Sequence, residues 1–133
     1  MPRSPKISEL ARDVAQDVLE GKLSLQHVVG LSDGEMAALE QLGGQLRRNG
    51  SPHDALEIFG LLASLAPYTA RYWLAIAELK QALGDPATAV ACYELVALLD
   101  RRRPGHLASE ATCLRAMGRA DLASELLERV TPS

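Results

Sequence analysis

The groups with most chemistry to offer are three histidines (His27, His53, His106), two cysteines (Cys92, Cys113) and a ladder of carboxylates, Glu9, Asp13 and Asp17. A nucleophile with its base, or a metal site, needs such groups at spacings that bring them together. No histidine stands at such a spacing from a cysteine or an aspartate, and the cysteines form no CxxC motif. Glu9, Asp13 and Asp17 recur every four residues, which puts three carboxylates on one helical face. That face lies opposite an apolar stripe, so it reads as a solvated surface rather than a cation site. Gly43-Gly44 falls inside a helical pattern and serves packing, so there is no phosphate-cradling loop. Cys92 and Cys113 read as reduced, buried fillers. The sequence therefore predicts no catalytic residue, no metal site and no cofactor. What remains is binding.

Composition narrows the class of binding. Of 133 residues, 47% are hydrophobic but only 4% aromatic. Ala and Leu dominate, which favours closely packed helices over a β-sandwich. One domain, 1–133, is expected at this length. The formal net charge of −3 argues against nucleic acid as a partner, and Arg101-Arg102-Arg103 reads as a solvated loop. MPRSPKISEL lacks the apolar core of a signal peptide, and no stretch approaches the ~20 apolar residues of a membrane span. A cytoplasmic protein without a membrane partner is expected.

The elements that position these residues follow from an internal period of 34 residues. Gly50, Gly84 and Gly118 share this step, as do Ala55, Ala89 and Ala123; Phe59, Tyr93 and Leu127; and Leu62, Val96 and Val130. Leu39, Trp73 and Leu107 open each unit, and Gly43, Ala77 and Ala111 follow four residues later. In a helix-turn-helix unit the small residues at 43, 77 and 111 permit close approach, and the glycines end the first helix in the left-handed conformation. Ser51-Pro52 and Asp85-Pro86 offer a cap and a first-turn proline for the second helix. Ala55, Ala89 and Ala123 occupy the helix crossings. Phe59, Tyr93 and Leu127 are expected to fill the gap toward the next unit. Pro67 closes the first unit.

Period, small-residue columns, aromatic column and closing proline resemble the tetratricopeptide (TPR) repeat. The predicted fold is all-α, a superhelix of three helical hairpins at about 36–69, 70–103 and 104–133, behind an N-terminal helical segment at 1–31. Ser32-Asp33-Gly34-Glu35 is a capping box that starts the first repeat. In the N-terminal segment, Ile7, Leu10, Ala11, Val14, Ala15, Val18 and Leu19 form one apolar stripe. It either packs on the first repeat or is a self-association surface, with Leu10, Val14 and Val18 as the candidate dimer contact.

A TPR array binds through the inner face of its first helices. The resemblance therefore nominates Ala37, Glu40, Gly44, Arg47 and Arg48 in the first repeat, and Arg71, Leu74, Glu78, Gln81 and Ala82 in the second. Gly105, Ala108, Thr112, Arg115 and Ala116 are the counterparts in the third. Small and apolar positions mixed with a few charges suit an extended peptide, whose side chains enter pockets while polar groups meet its backbone.

A narrower resemblance rests on the second repeat. Ala70-Arg71-Tyr72-Trp73-Leu74-Ala75-Ile76-Ala77, continuing to Gln81-Ala82-Leu83-Gly84, resembles the class II type III secretion chaperones, the LcrH/SycD-like proteins. Leu19-Glu20-Gly21 with Leu31-Ser32-Asp33, Gly50 to Ala55, Leu56-Glu57-Ile58-Phe59, Ala66-Pro67, and Cys113-Leu114 before Gly118 are similar in order and spacing. The resemblance implies a bacterial cytoplasmic chaperone that cradles an extended segment of a secreted translocator. It would prevent premature membrane insertion and release its cargo to the secretion machine, and it would dimerise through its N-terminal helices. Where aromatics are common in the family, this groove has Gly44 and Arg47. Two further readings stay open: a TPR chaperone of a needle or export-apparatus component, and a general TPR scaffold for folded partners.

Overall fold

Four glycines set the turns of the chain. Gly30, Gly50, Gly84 and Gly118 have φ of 78°, 79°, 82° and 76°, in the left-handed region that side chains bearing a Cβ avoid. At each one the next amide reaches back to close the preceding helix: Leu31 N to Gln26 O at 3.0 Å, Ser51 N to Leu46 O at 2.8 Å, Asp85 N to Lys80 O at 2.9 Å and Arg119 N to Leu114 O at 2.8 Å. Those bonds satisfy carbonyls that a helix end would leave without partners.

The computed structural model describes residues 25–101 and 106–129. Among them lie seven helices: α1 (Leu25–Val28), α2 (Asp33–Arg48), α3 (Pro52–Leu65), α4 (Ala70–Ala82), α5 (Pro86–Leu99), α6 (Leu107–Ala116) and α7 (Ala120–Glu128). They form three hairpins, α2–α3, α4–α5 and α6–α7, and each hairpin packs on the next through α3 with α4 and α5 with α6. No strand occurs among the described residues. The all-α TPR architecture expected from the 34-residue period is present.

Helix starts follow local chemistry, with one departure from expectation. Ser32 Oγ accepts from the Glu35 amide at 3.1 Å, and Glu35 Oε1 accepts from the Ser32 amide at 3.2 Å, completing the predicted capping box. At α5, Asp85 Oδ1 accepts from the Thr88 amide at 3.2 Å, and the Thr88 side chain together with that amide holds the carboxyl below the usual range. Ser51, expected to cap α3, makes no side-chain cap bond, so α3 starts on the preset φ of Pro52 alone. Arg119 at the start of α7 also makes none; its guanidinium instead pairs with Asp121 at 3.3 Å on the surface.

Packing explains the small-residue columns. Ala55, Ala89 and Ala123 are fully buried, as are Ala77 and Ala111. A Cβ built on Gly43 would stand 2.9 Å from Phe59 Cε2, so α2 and α3 touch through a bare backbone. Phe59 thus packs within its own hairpin and belongs to the buried core that continues into α4. Gly44 is different: its Cβ would meet only the Arg48 guanidinium, at 3.3 Å, so it serves no helix-to-helix contact. Leu62 and Leu79 are the largest apolar side chains sealed from solvent, in a core that runs from α2 to Cys113 of α6. A smaller cluster of Ala111, Leu114, Ala123 and Leu126 joins α6 to α7. Cys92 and Cys113 are buried free thiols, as expected, and burial pushes both above the usual thiol range. Trp73 Nε1 donates to the Pro67 carbonyl at 2.7 Å, tying α4 to the corner that closes the first hairpin.

Candidate functional site

Helices α2 and α4 expose matching charges on the face assigned to the groove, and the charges are used between the helices. Arg71 Nε of α4 lies 3.1 and 3.0 Å from the two carboxylate oxygens of Glu40 on α2. Arg47 of α2 donates through Nη2 to Glu78 of α4 at 3.0 Å. The hydrogen bond to Glu40 raises the Arg71 guanidinium further above its ordinary value, and that group also stands 5.0 Å from the Tyr72 ring centre. The sequence suggested these charges would meet a peptide backbone. In the structure they neutralise each other and leave the wall between the first two hairpins polar but uncharged in sum.

Beyond that wall lie two hollows that share a ridge. One, of about 570 Å³, is bounded by Arg47, Leu74, Glu78, Gln81, Tyr93, His106 and Ser109. The other, of about 420 Å³, is bounded by Tyr68, Arg71, Leu74, Val96, Leu99, Asp100 and His106. Leu74 and His106 belong to both. Volumes of this order suit one or two side chains of a bound segment rather than a folded domain.

The larger hollow has a polar floor. Tyr93 is buried, and its hydroxyl donates to Gln81 Oε1 at 2.8 Å; burial raises it above the usual phenol range. The His106 ring stacks on Tyr93 with centroids 6.2 Å apart and planes 18° from parallel. Buried tyrosines commonly find such partners, and the bond holds Gln81 at the edge of the hollow.

Of the nominated groove residues, Arg47, Arg71, Leu74, Glu78, Gln81 and Ala82 line these hollows. Glu40 stands beside them, held by Arg71, and Ala37 borders a third, smaller hollow near the start of α2. Gly44 is half-buried against Arg48. Ala108, Thr112 and Arg115 are exposed on α6, where Thr112 Oγ1 donates to the Ala108 carbonyl at 2.9 Å. The wall that the third hairpin gives to the larger hollow is made by His106 and Ser109 instead. Gly105 lies outside the described residues, as do Leu10, Val14, Val18 and the carboxylates Glu9, Asp13 and Asp17.

Sequence reasoning missed His106, Ser109, Val96 and Leu99, and read Tyr93 only as filler. The available signal was in the columns: Tyr93 is the one hydroxyl-bearing residue in the position shared with Phe59 and Leu127. Among the described residues no cluster of His, Cys, Asp and Glu could hold a metal ion, and no helix is long and apolar enough to cross a membrane.

No protein-family model and no curated protein matches the chain. Solved structures do. PcrH from Pseudomonas aeruginosa is 33% identical over 73% of this chain and 74% of its own, with a TM-score of 0.68. PcrH bound to the chaperone binding region of PopD is 33% identical over 73% of each chain, with a TM-score of 0.69. The Yersinia enterocolitica type III secretion chaperone SycD, in complex with a peptide of the translocator YopD, is 27% identical over 72% of this chain and 73% of its own, with a TM-score of 0.68. With the three-hairpin fold and the groove already in place, these likenesses assign the chain to a family: it belongs to the class II type III secretion translocator chaperones, with SycD and PcrH.

Proposed function

We propose that this protein is a bacterial cytoplasmic chaperone that binds an extended segment of a secreted translocator and keeps it soluble and secretion-competent. It acts by binding and not as an enzyme. The observation that carries the reading is the pair of hollows flanking Leu74 and His106, each sized for a side chain and joined along one face. An extended segment would place successive apolar anchors on either side of the ridge, while Gln81 and Ser109 offer hydrogen bonds to its backbone. Known complexes of PcrH with regions of PopD and PopB, and of SycD with a YopD peptide, supply the class of partner. Affinity would concentrate in the few anchors that fill the hollows.

Co-expression with the translocator subunits of the same secretion system tests this. The expected result is a stable complex with one of them, reproduced by a synthetic peptide of that subunit in calorimetry. If every translocator of the system fails to co-purify while a needle or export component does, the cargo assignment is wrong.

A further inference from the structure

The third hairpin buries a carboxyl group. Glu110 of α6 is only 2% exposed, and its Oε1 has no hydrogen-bond partner. The same repeat column holds Leu42, which is exposed, in the first hairpin and Ile76, which is buried, in the second. A glutamate is therefore buried in the column where the second hairpin buries a hydrocarbon. Leaving an ionised carboxylate there would be costly, because burial penalises the charged form.

The groups facing Glu110 make ionisation harder still. From α5 comes Glu94, whose carboxyl would repel it once both were charged. Arg129, after the end of α7, opposes this only weakly, since its Nη1 lies 3.9 Å from Glu94 Oε1 and both side chains are largely solvated. On α6 and at its N-cap the neighbouring titratable groups are Cys113, a neutral buried thiol, and His106, one turn before Glu110, whose Nε2 is buried without a hydrogen-bond partner. A buried carboxyl of the third hairpin thus has a second carboxyl for a neighbour at the seam with the second hairpin, and only a solvated arginine to offset its charge.

We propose that this seam is a protonation latch: the buried Glu110 carboxyl holds α6 in place while it keeps its proton, and losing that proton to water loosens the third hairpin. The latch itself does not depend on what occupies the groove. Its consequence for cargo does rest on the function proposed above: His106 and Ser109, which wall the larger hollow, belong to the hairpin that loosens.

The direction of the effect follows from linkage. Burial, with Glu94 beside it, raises Glu110 from 4.5 to about 8 in the folded chain. The folded state then holds a proton that the unfolded state has released, so its stabilising contribution is complete below pH 4.5 and is lost as pH rises through about 8. Within that window the opening equilibrium of the third hairpin should grow by up to about tenfold per pH unit.

Amide hydrogen exchange of the whole chain, corrected for the intrinsic pH dependence of exchange, tests the latch. In the unmodified protein, protection of α6 and α7 should fall as pH rises through the window, while α2 and α3 hold theirs. Glu110→Gln, which keeps the shape and a hydrogen-bond donor but cannot ionise, should abolish that fall. Glu110→Leu, matching Leu42 and Ile76, should do the same should the amide fail to fold. Uniform protection of α6 and α7 across the window in the unmodified protein overturns the latch, as does an unchanged fall in either folded variant. Calorimetry with a translocator peptide separates the two layers: a pH-dependent hairpin with pH-independent binding would keep the latch and remove its link to cargo.

Discussion

Arg71 on α4 and Glu40 on α2 stand 31 residues apart in sequence, yet Nε of the first lies 3.0 Å from a carboxylate oxygen of the second. Seven residues along each helix the polarity reverses, and Arg47 of α2 donates to Glu78 of α4 at 3.0 Å. Two bridges of opposite sense therefore tie the first helices of neighbouring hairpins. They fix the register of these helices at the groove without leaving a net charge there.

The bridges are exposed, with Arg71 and Glu40 side chains 61% and 32% accessible, so they shape the surface more than they stabilise the fold. Arg71→Met is expected to lower stability by less than about 1 kcal/mol in urea unfolding. A loss well beyond that would mean the pair shares in the stability that the buried core around Leu62 and Leu79 supplies.

Adjacent glycines in α2 should respond in opposite directions. Gly43→Ala puts a methyl 2.9 Å from Phe59 and should destabilise by roughly 1–3 kcal/mol through overpacking. Gly44→Ala meets only the mobile end of Arg48 and should be neutral or stabilise by up to about 1 kcal/mol, because alanine loses less backbone entropy in a helix. Combining Gly43→Ala with Phe59→Leu should recover part of the loss in a double-mutant cycle. Equal melting temperatures for the two single variants would contradict this packing.

Leu74 lines both hollows and is half-buried without belonging to the sealed core. Leu74→Glu should leave helicity and melting temperature nearly unchanged while abolishing co-purification of the translocator. The new carboxylate would face a cargo anchor and lose its water on binding. Retention of cargo at the unmodified level would move the binding site to another face.

A further proposal comes from the spacing of Val14 and Val18 in the N-terminal stripe. Changing both to Asp should turn a concentration-dependent dimer into a monomer with little loss of helicity. Light scattering checks it, and a monomeric unmodified protein at every accessible concentration would rule it out.

The fold was legible because its information is local and periodic. The glycine column at 50, 84 and 118 coincides with positive φ at every member, and the alanine column at 55, 89 and 123 with complete burial. A missing Cβ or a small side chain constrains backbone geometry wherever it stands, so its spacing alone announces the hairpins. The site was less legible, and so were the caps: Ser51 and Asp85 both precede a first-turn proline, yet only Asp85 makes a side-chain cap bond.

What the sequence by itself determined is the repeat, its turns, the faces of the helices and the family resemblance, all of which depend on residue type and interval. Only the tertiary structure decided which groups meet across hairpins. Arg71 finds Glu40 and Arg47 finds Glu78, rather than waiting for a ligand. His106 comes to lie on Tyr93 beside the larger hollow, and Glu110 is enclosed with the Glu94 charge nearby. These partners sit on different helices, and their meeting depends on how two hairpins rotate and slide against each other. Side-chain volumes throughout the core set that geometry jointly, and no interval along the chain encodes it.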